Sequence, residues 1–152
     1  MRGNLLKVSI AIFVLLGASA LSACTTTGQV TRESGPGDGE VLRIPRSEIT
    51  AELDVRTYDA DGVEVRFMVV EDQDGEVRTA FDACDFCGGR LGYEQVGQEV
   101  ECRNCGQRFR IDQLGEANLA GGCWPSFLSH EIEDDEVLIP LDEIHENAYR
   151  FG

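Results

Sequence analysis

The chain contains 152 residues, 42% of them hydrophobic and 7% aromatic, which is enough for one modest domain with a single core. Its net charge is −15 at pH 7, and loss of Arg2 and Lys7 with an export signal would leave −17. Such an acidic surface repels nucleic acid and anionic headgroups, so we exclude a nucleic-acid-binding function. A domain of this size gains stability from a metal or a disulfide.

The first 23 residues have the pattern of an export signal. Residues 1–7 carry two positive charges, and residues 8–16 form an apolar run that is too short to span a membrane. Residues 21–24 read Leu-Ser-Ala-Cys, which is typical of a lipobox. We therefore predict a signal peptide at residues 1–23 and a lipidated Cys24. An ordinary signal cleaved after residues 18–20 is the alternative.

Acyl chains on Cys24 would tether the protein, because each buried methylene contributes about 0.8 kcal/mol. Residues 25–39 are rich in Thr, Ser and Gly, so residues 24–39 form a predicted flexible linker. The exported domain then spans residues 40–152. We expect it in the cell envelope, lipid-anchored to the inner or outer membrane and facing the periplasm or the cell exterior.

Short alternating apolar runs bounded by Asp-Gly pairs predict a mainly β domain of the small α+β type. Within residues 63–69, one face of a predicted strand carries Val63, Val65, Phe67 and Val69, and the other face carries Glu64, Arg66 and Met68. Further strands and turns are predicted at residues 41–44, 53–55 and 77–81 and at the Asp-Gly pairs 61–62 and 74–75.

The end of the chain predicts a last strand and a helix. Residues 136–139 are apolar enough for a late strand, and residues 140–147 read as a turn followed by a short C-terminal helix. Leu141 and Ile144 would face inward and help to close the core.

Two Cys-x-x-Cys-Gly motifs, Cys84 with Cys87 and Cys102 with Cys105, carry the strongest chemical signal; we call each a knuckle. The spacer lets both sulfurs turn toward one ion, and the glycine permits a tight backbone that directs N–H groups at sulfur. Four thiolates can hold zinc or iron at about 2.3 Å, or the corners of a cluster. The segment between the knuckles predicts a hairpin, a layout that resembles zinc ribbons and rubredoxins.

Cys123 leaves an odd number of cysteines once Cys24 is lipidated. It lies in a Gly-Gly-Cys-Trp-Pro turn and is a fifth ligand, a resolving thiol or an unpaired buried cysteine. Because an exported chain meets oxidising machinery, disulfides within the knuckles are the alternative to metal binding. Haem attachment is excluded, since it needs histidine where each knuckle has glycine.

No other residues form a recognisable chemical site. His130 and His145 lack ligand spacing, and the acidic residues 131–136 are typical of a solvated turn. The sequence has no arrangement of nucleophile, base and oxyanion stabiliser, so we predict that the protein is not an enzyme.

Several motifs follow one another along the exported domain: Phe81-Asp82-Ala83-Cys84-x-x-Cys87, Gly92-Tyr93, Val100-x-Cys102-x-x-Cys105, Leu114-Gly115 and Gly121-Gly122-Cys123-x-Pro125. This order resembles the FtrD-like membrane iron-sulfur protein family. The resemblance implies iron or an iron-sulfur cluster at the five cysteines. It also implies electron transfer or metal handling beside an iron permease and periplasmic iron- or copper-binding proteins.

The chain departs from the family pattern in three places. A lipobox signal replaces the membrane helices that many members carry, Trp124 stands where asparagine is usual, and Phe127 where a second proline is usual. In addition, a chain exported unfolded cannot easily carry a preassembled cluster, and the signal lacks twin arginines. Mononuclear iron, zinc or copper loaded outside the cytoplasm is therefore an alternative cofactor.

We predict a membrane-anchored metal-binding protein that serves transition-metal transport, with Cys84, Cys87, Cys102 and Cys105 as ligands and Cys123 as an accessory thiol. One alternative is an extracytoplasmic thiol-disulfide redox protein in which Cys123 resolves. The other is an envelope scaffold held together by structural zinc.

Overall fold

The computed structural model describes residues 39–152 and the backbone of residues 32–34. Over this part of the chain there are eleven β-strands and one α-helix, which confirms the predicted mainly β fold with a short C-terminal helix. The predicted signal peptide and Cys24 lie outside the described residues. The elements are β1 (Arg32–Ser34), β2 (Glu40–Pro45), β3 (Asp54–Ala60), β4 (Val63–Glu71), β5 (Val77–Cys84), β6 (Tyr93–Val96), β7 (Glu99–Cys102), β8 (Arg108–Arg110), β9 (Pro125–Phe127), β10 (Glu131–Glu133), β11 (Glu136–Pro140) and α1 (Leu141–Glu146).

The first sheet joins the two ends of the domain in the antiparallel order β1-β2-β11-β10. The strands predicted at residues 41–44 and 136–139 pair with each other. Leu42 lies opposite Ile139 and Ile44 opposite Val137, and all four are buried in the larger of two cores. β1, which falls within the predicted linker, pairs with β2.

The second sheet has the order β3-β4-β5-β9 and lies at the centre of the domain. The turn between β3 and β4 is the predicted Asp61-Gly62 pair, whose positive φ angles of 54° and 90° suit a tight hairpin. Val65, Phe67 and Val69 of β4 point into the larger core, as their alternation predicted. One face of this sheet therefore packs against the first sheet.

The other face of β4 is also buried, and this differs from the sequence-based expectation. Met68, which the alternation placed beside Glu64 and Arg66, is fully buried together with Val70. The reason is a third sheet of order β6-β7-β8, which shares a second core with these residues. Simple alternation could not show this, because the covering sheet comes from a later part of the chain.

The C-terminus closes the larger core and also touches the first knuckle. Leu141 and Ile144 of α1 are buried, as predicted. A short 3₁₀ turn over Ala148–Arg150 then brings Phe151 against Gly89, where a Cβ would lie 2.5 Å from the aromatic ring. The Gly89 N–H donates to the carbonyl of Arg150 at 3.1 Å. Glycine at position 89 thus allows the last residues to brace the knuckle.

Candidate metal centre

The first knuckle begins at the last residue of β5. The Gly88 N–H donates to the Cys84 carbonyl at 2.8 Å, and the Cys84 N–H donates back to the Gly88 carbonyl at 3.2 Å. Gly88 has a φ of 74°, a conformation that residues with a Cβ adopt only at a cost. The backbone therefore reverses within five residues and brings the Cys87 side chain back beside Cys84.

The second knuckle repeats this turn at the end of β7. The Gly106 N–H donates to the Cys102 carbonyl at 2.7 Å, and the Cys105 N–H donates to the same carbonyl at 3.3 Å. Cys102 is fully buried, whereas Cys105 is exposed. The centre therefore has a buried side and a side that reaches the surface.

Cys123 is brought to the knuckles by β9, a strand that the sequence did not reveal. Pro125 of β9 lies opposite Cys84, and the Asp85 N–H donates to the Trp124 carbonyl at 2.9 Å. The Trp124 indole N–H donates to the Glu116 carbonyl at 2.9 Å and so fixes the loop before the cysteine. This pairing places the lone cysteine beside the first knuckle.

The sulfurs of the five cysteines that the structure describes form one compact group centred on Cys87. Cys87 Sγ lies within 4.8 Å of the sulfurs of Cys84 and Cys123, and also within 4.8 Å of those of Cys102 and Cys105. The Sγ of Cys123 is 4.0 Å from that of Cys87 and 3.6 Å from that of Cys105. The structure thus brings together every cysteine that the sequence proposed as a ligand, and the sulfurs of Cys84, Cys87 and Cys123 all lie within 4.8 Å of one another.

These sulfur positions fit a thiolate-bound metal. Metal–sulfur bonds of about 2.3 Å at tetrahedral angles place neighbouring sulfurs about 3.8 Å apart. The separations of 3.6 Å and 4.0 Å at Cys123 match that spacing, and the five cysteines in residues 39–152 are free thiols. Cys84, Cys87, Cys102, Cys105 and Cys123 are therefore the residues that could hold a transition metal or a cluster.

Two of the thiols have lowered pKa values. Burial raises the pKa of Cys84, but hydrogen bonds from backbone N–H groups outweigh burial and lower that pKa to about 7. These groups belong to Cys87, Phe86 and Trp124. The pKa of Cys105 is lowered, mainly by a hydrogen bond from the backbone of Gln107. A thiolate is the form that binds a metal, so each knuckle supplies one ready ligand.

The other three thiols have raised pKa values, through burial and through the neighbouring sulfurs. Burial and the neighbouring Cys84 raise the pKa of Cys87, and burial raises that of Cys102. The interaction with Cys105 raises the pKa of Cys123 to about 11. Five thiolates this close would repel one another strongly. A cation placed among them removes that repulsion, which favours metal binding coupled to proton release.

The carboxylate of Asp82, two residues before Cys84, fixes the start of the strand that carries Tyr93. The buried Asp82 carboxylate accepts a hydrogen bond from the Tyr93 N–H at 2.6 Å and one from the Arg66 Nε at 2.9 Å. Arg66 also donates to the carbonyl of Gly89, the residue directly after the first knuckle. The motifs that resemble the family include Asp82 and Gly92-Tyr93, but nothing in the sequence indicates that these residues meet or that Arg66 joins them.

The remaining candidates lie away from the sulfurs. His130 Nδ1 contacts the Thr79 hydroxyl at 2.8 Å, and His145 Nδ1 lies 3.2 Å from the Asp61 carboxylate. Neither histidine belongs to the cysteine groups. The acidic residues 131–136 form the β10–β11 hairpin, whose turn residues Asp134 and Asp135 are exposed.

The fold and the site define a small β-rich protein with a cysteine cluster suited to a metal. The chain belongs to the family of membrane iron-sulfur containing proteins described as FtrD-like, whose model matches residues 50–151. The match includes both knuckles and Cys123. No curated protein matches the chain. Within the part of the chain that the structure describes, no helix has the length and apolarity needed to cross a membrane.

Proposed function

We propose that this protein is a membrane-anchored carrier of a thiolate-bound transition metal that transfers electrons or metal in iron transport. The observation that carries the proposal is the position of Cys87 Sγ, within 4.8 Å of the sulfurs of four other free cysteines from three separate segments. A structural zinc ribbon needs only four thiolates. The fifth supports a site that can change its ligands as it gains or loses an electron or an ion.

The family description favours iron over zinc or copper as the bound metal. Cys84, Cys87, Cys102, Cys105 and Cys123 would hold mononuclear iron or an iron-sulfur cluster, and either would supply one-electron chemistry. The protein itself contributes backbone N–H groups around Cys84 and a buried side at Cys102. Both features tune the potential of a thiolate-bound metal.

The exposed side of the centre supports exchange with a partner. Cys105 is exposed, and Phe86, between the cysteines of the first knuckle, is 78% exposed. Residues 84–125 carry six acidic and four basic side chains, a net charge of −2, whereas the mature chain carries −17. An exposed aromatic side chain beside an exposed cysteine, in a segment of low net charge, suits transient docking of a redox or metal-binding partner. We propose an iron permease and periplasmic metal-binding proteins as those partners.

Lipidation of Cys24 would hold the centre close to such partners. We propose that the anchor lies in the inner or outer membrane and faces the periplasm or the cell exterior. In this role the protein binds and passes on its cargo and does not act as an enzyme.

One observation favours a second candidate, a thiol-disulfide redox protein. The Sγ atoms of Cys105 and Cys123 are 3.6 Å apart, and Cys105 has a lowered pKa. Such a pair could attack and resolve a disulfide without any metal. This candidate requires exchange with a dithiol substrate, whereas the metal carrier requires a stoichiometric metal.

The test is metal and sulfide analysis of the full chain, extracted in detergent from its own membranes without oxygen, beside Cys87→Ser and Cys24→Ser variants. Cys87→Ser should lose the metal but stay in the membrane fraction. Cys24→Ser should keep the metal but leave that fraction. Stoichiometric iron with charge-transfer absorption supports the proposal. Zinc indicates the scaffold, and no metal with rapid dithiol exchange indicates the redox protein.

The transport role is tested separately in the producing cell. A strain that lacks the chain should grow poorly when iron is limiting, and Cys87→Ser should fail to restore growth although it is made at wild-type level. Restoration by Cys87→Ser would contradict a role for the metal centre in transport.

A further inference from the structure

Tyr93 places a buried hydroxyl at the metal centre. The residue is 4% exposed and shares the second core with Cys84 and Cys102. Its hydroxyl oxygen is buried and meets no hydrogen-bond partner of good geometry among the described residues. Because buried polar groups in proteins are nearly always paired, this hydroxyl requires an acceptor that the centre supplies.

The position of Tyr93 is fixed from three sides. Its N–H donates to the Asp82 carboxylate at 2.6 Å, and in the β6–β7 pairing it lies directly opposite Cys102. Its ring packs edge-on against Phe109, with 6.2 Å between ring centroids. The hydroxyl is therefore held in place by packing and pairing that do not depend on the hydroxyl itself.

The neighbours of the hydroxyl are thiols. Burial raises the pKa of Tyr93, and the nearby thiol of Cys84 raises it further, followed by those of Cys102 and Cys105. A thiolate has no proton to give, so the phenol hydroxyl can act only as the donor toward it. The other donors to the Cys84 sulfur are backbone N–H groups, which a side-chain substitution cannot remove.

We propose that the Tyr93 hydroxyl donates a hydrogen bond to the Cys84 thiolate when that thiolate ligates the metal, and so positions and stabilises this ligand. The inference rests on the proposed function and adds a residue to its site. A hydrogen bond to a ligand sulfur withdraws charge from it and fixes its direction toward the metal. Tyr93 is thus a positioning residue, not a ligand.

The experiment compares Co²⁺ binding to the full chain with binding to Tyr93→Phe and to Tyr149→Phe. Phenylalanine keeps the ring and removes only the hydroxyl, and Tyr149 is a matched control because it is 70% exposed. Tyr93→Phe should move the sulfur-to-cobalt charge-transfer band to longer wavelength, since the sulfur regains charge. It should also weaken Co²⁺ binding by about 10–100-fold, the usual cost of losing a group that orients a ligand.

Each result separates this inference from the proposed function. If the wild type binds no Co²⁺, the proposed function fails. If the wild type binds Co²⁺ and Tyr93→Phe has the same band and affinity, only the role of Tyr93 is overturned.

Should Tyr93→Phe fail to fold, NMR of the wild type loaded with ¹¹³Cd tests the hydrogen bond directly. A slowly exchanging Tyr93 hydroxyl proton coupled to the cadmium supports the hydrogen bond, and absence of the coupling overturns it.

Discussion

The carboxylate of Asp82 occupies the space that a side chain on Gly92 would need. A Cβ at Gly92 would lie 2.5 Å from Asp82 Cγ, and Gly92 has a φ of 70°. The absence of a side chain allows Asp82 to reach the N–H of the next residue, Tyr93, while it pairs with Arg66. The Gly92-Tyr93 pattern and the aspartate two residues before Cys84 are therefore parts of one structural unit.

Gly92→Ala should be much more destabilising than Gly97→Ala. Both glycines have positive φ, 70° and 64°, so both alanines carry the cost of a left-handed backbone, about 1–2 kcal/mol. Only Gly92→Ala also collides with Asp82, since nothing lies within 4 Å of a Cβ at Gly97. We expect the free energy of unfolding to fall by about 1–3 kcal/mol more in Gly92→Ala. Denaturant titration measures it, and equal losses would contradict the steric account.

Much of the framework could be predicted from local sequence. Alternating apolar residues located β4 and β5, and Asp-Gly located the turn between β3 and β4, because these features depend on residues close together in the chain. The two cysteine spacings likewise predicted tight turns. These signals need no knowledge of the remainder of the fold.

What could not be predicted depends on contacts between distant segments. Cys123 meets the knuckles because three-residue β9 pairs with β5, and a strand that short has no readable period. Met68 is buried because the third sheet covers it. The alternation placed Arg66 on the solvent-facing side of its strand. Its side chain instead pairs with the buried Asp82, sixteen residues further along the chain. In each case the environment of the residue is set by a segment that is distant in the sequence, and not by the residue itself.

Alkylation should reach Cys105 before any other cysteine once the metal has been removed by a chelator. Cys105 combines exposure with a lowered pKa, while Cys84 has a pKa of about 7 but is 1% exposed. Because alkylation requires both thiolate and access, burial protects Cys84. Limiting iodoacetamide followed by peptide mass spectrometry measures the order. The denatured chain is the control and should lose this preference. Faster labelling of Cys84 would show that access does not control reactivity here.

Oxidation of the same chelator-treated protein should join Cys105 to Cys123. Their sulfurs are 3.6 Å apart, closer than the 4.0 Å between Cys87 and Cys123. The Cys105 thiolate attacks glutathione disulfide and releases one glutathione, and Cys123 then displaces the second, so two protein thiols become one disulfide and two glutathiones form. Peptide mapping identifies the bond.

The matched variants for this oxidation are Cys105→Ser and Cys84→Ser. Cys105→Ser should shift the disulfide to Cys87 and Cys123, whose sulfurs are 4.0 Å apart, whereas Cys84→Ser should leave the Cys105–Cys123 disulfide unchanged. A Cys84–Cys87 disulfide as the first product in the wild type would contradict this order. It would instead favour oxidation within the first knuckle.

Acid should unfold the wild type partly by protonating Asp72. Burial raises the pKa of this carboxyl, but hydrogen bonds from Arg78 at 2.7 Å and from the N–H groups of Asp74 and Glu76 outweigh burial and lower the pKa below the usual 3.8. A lowered folded-state pKa contributes stability above the unfolded value, and that contribution is lost as the pH falls through the folded value. Asp72→Asn should therefore be less stable than the wild type at pH 7, and the difference should shrink below about pH 4.

Asp74→Asn, an exposed change in the same turn, is the control. Free energies of unfolding at a series of pH values measure the effect, and a constant difference across the acid range would show that Asp72 acts through its shape and not through its charge.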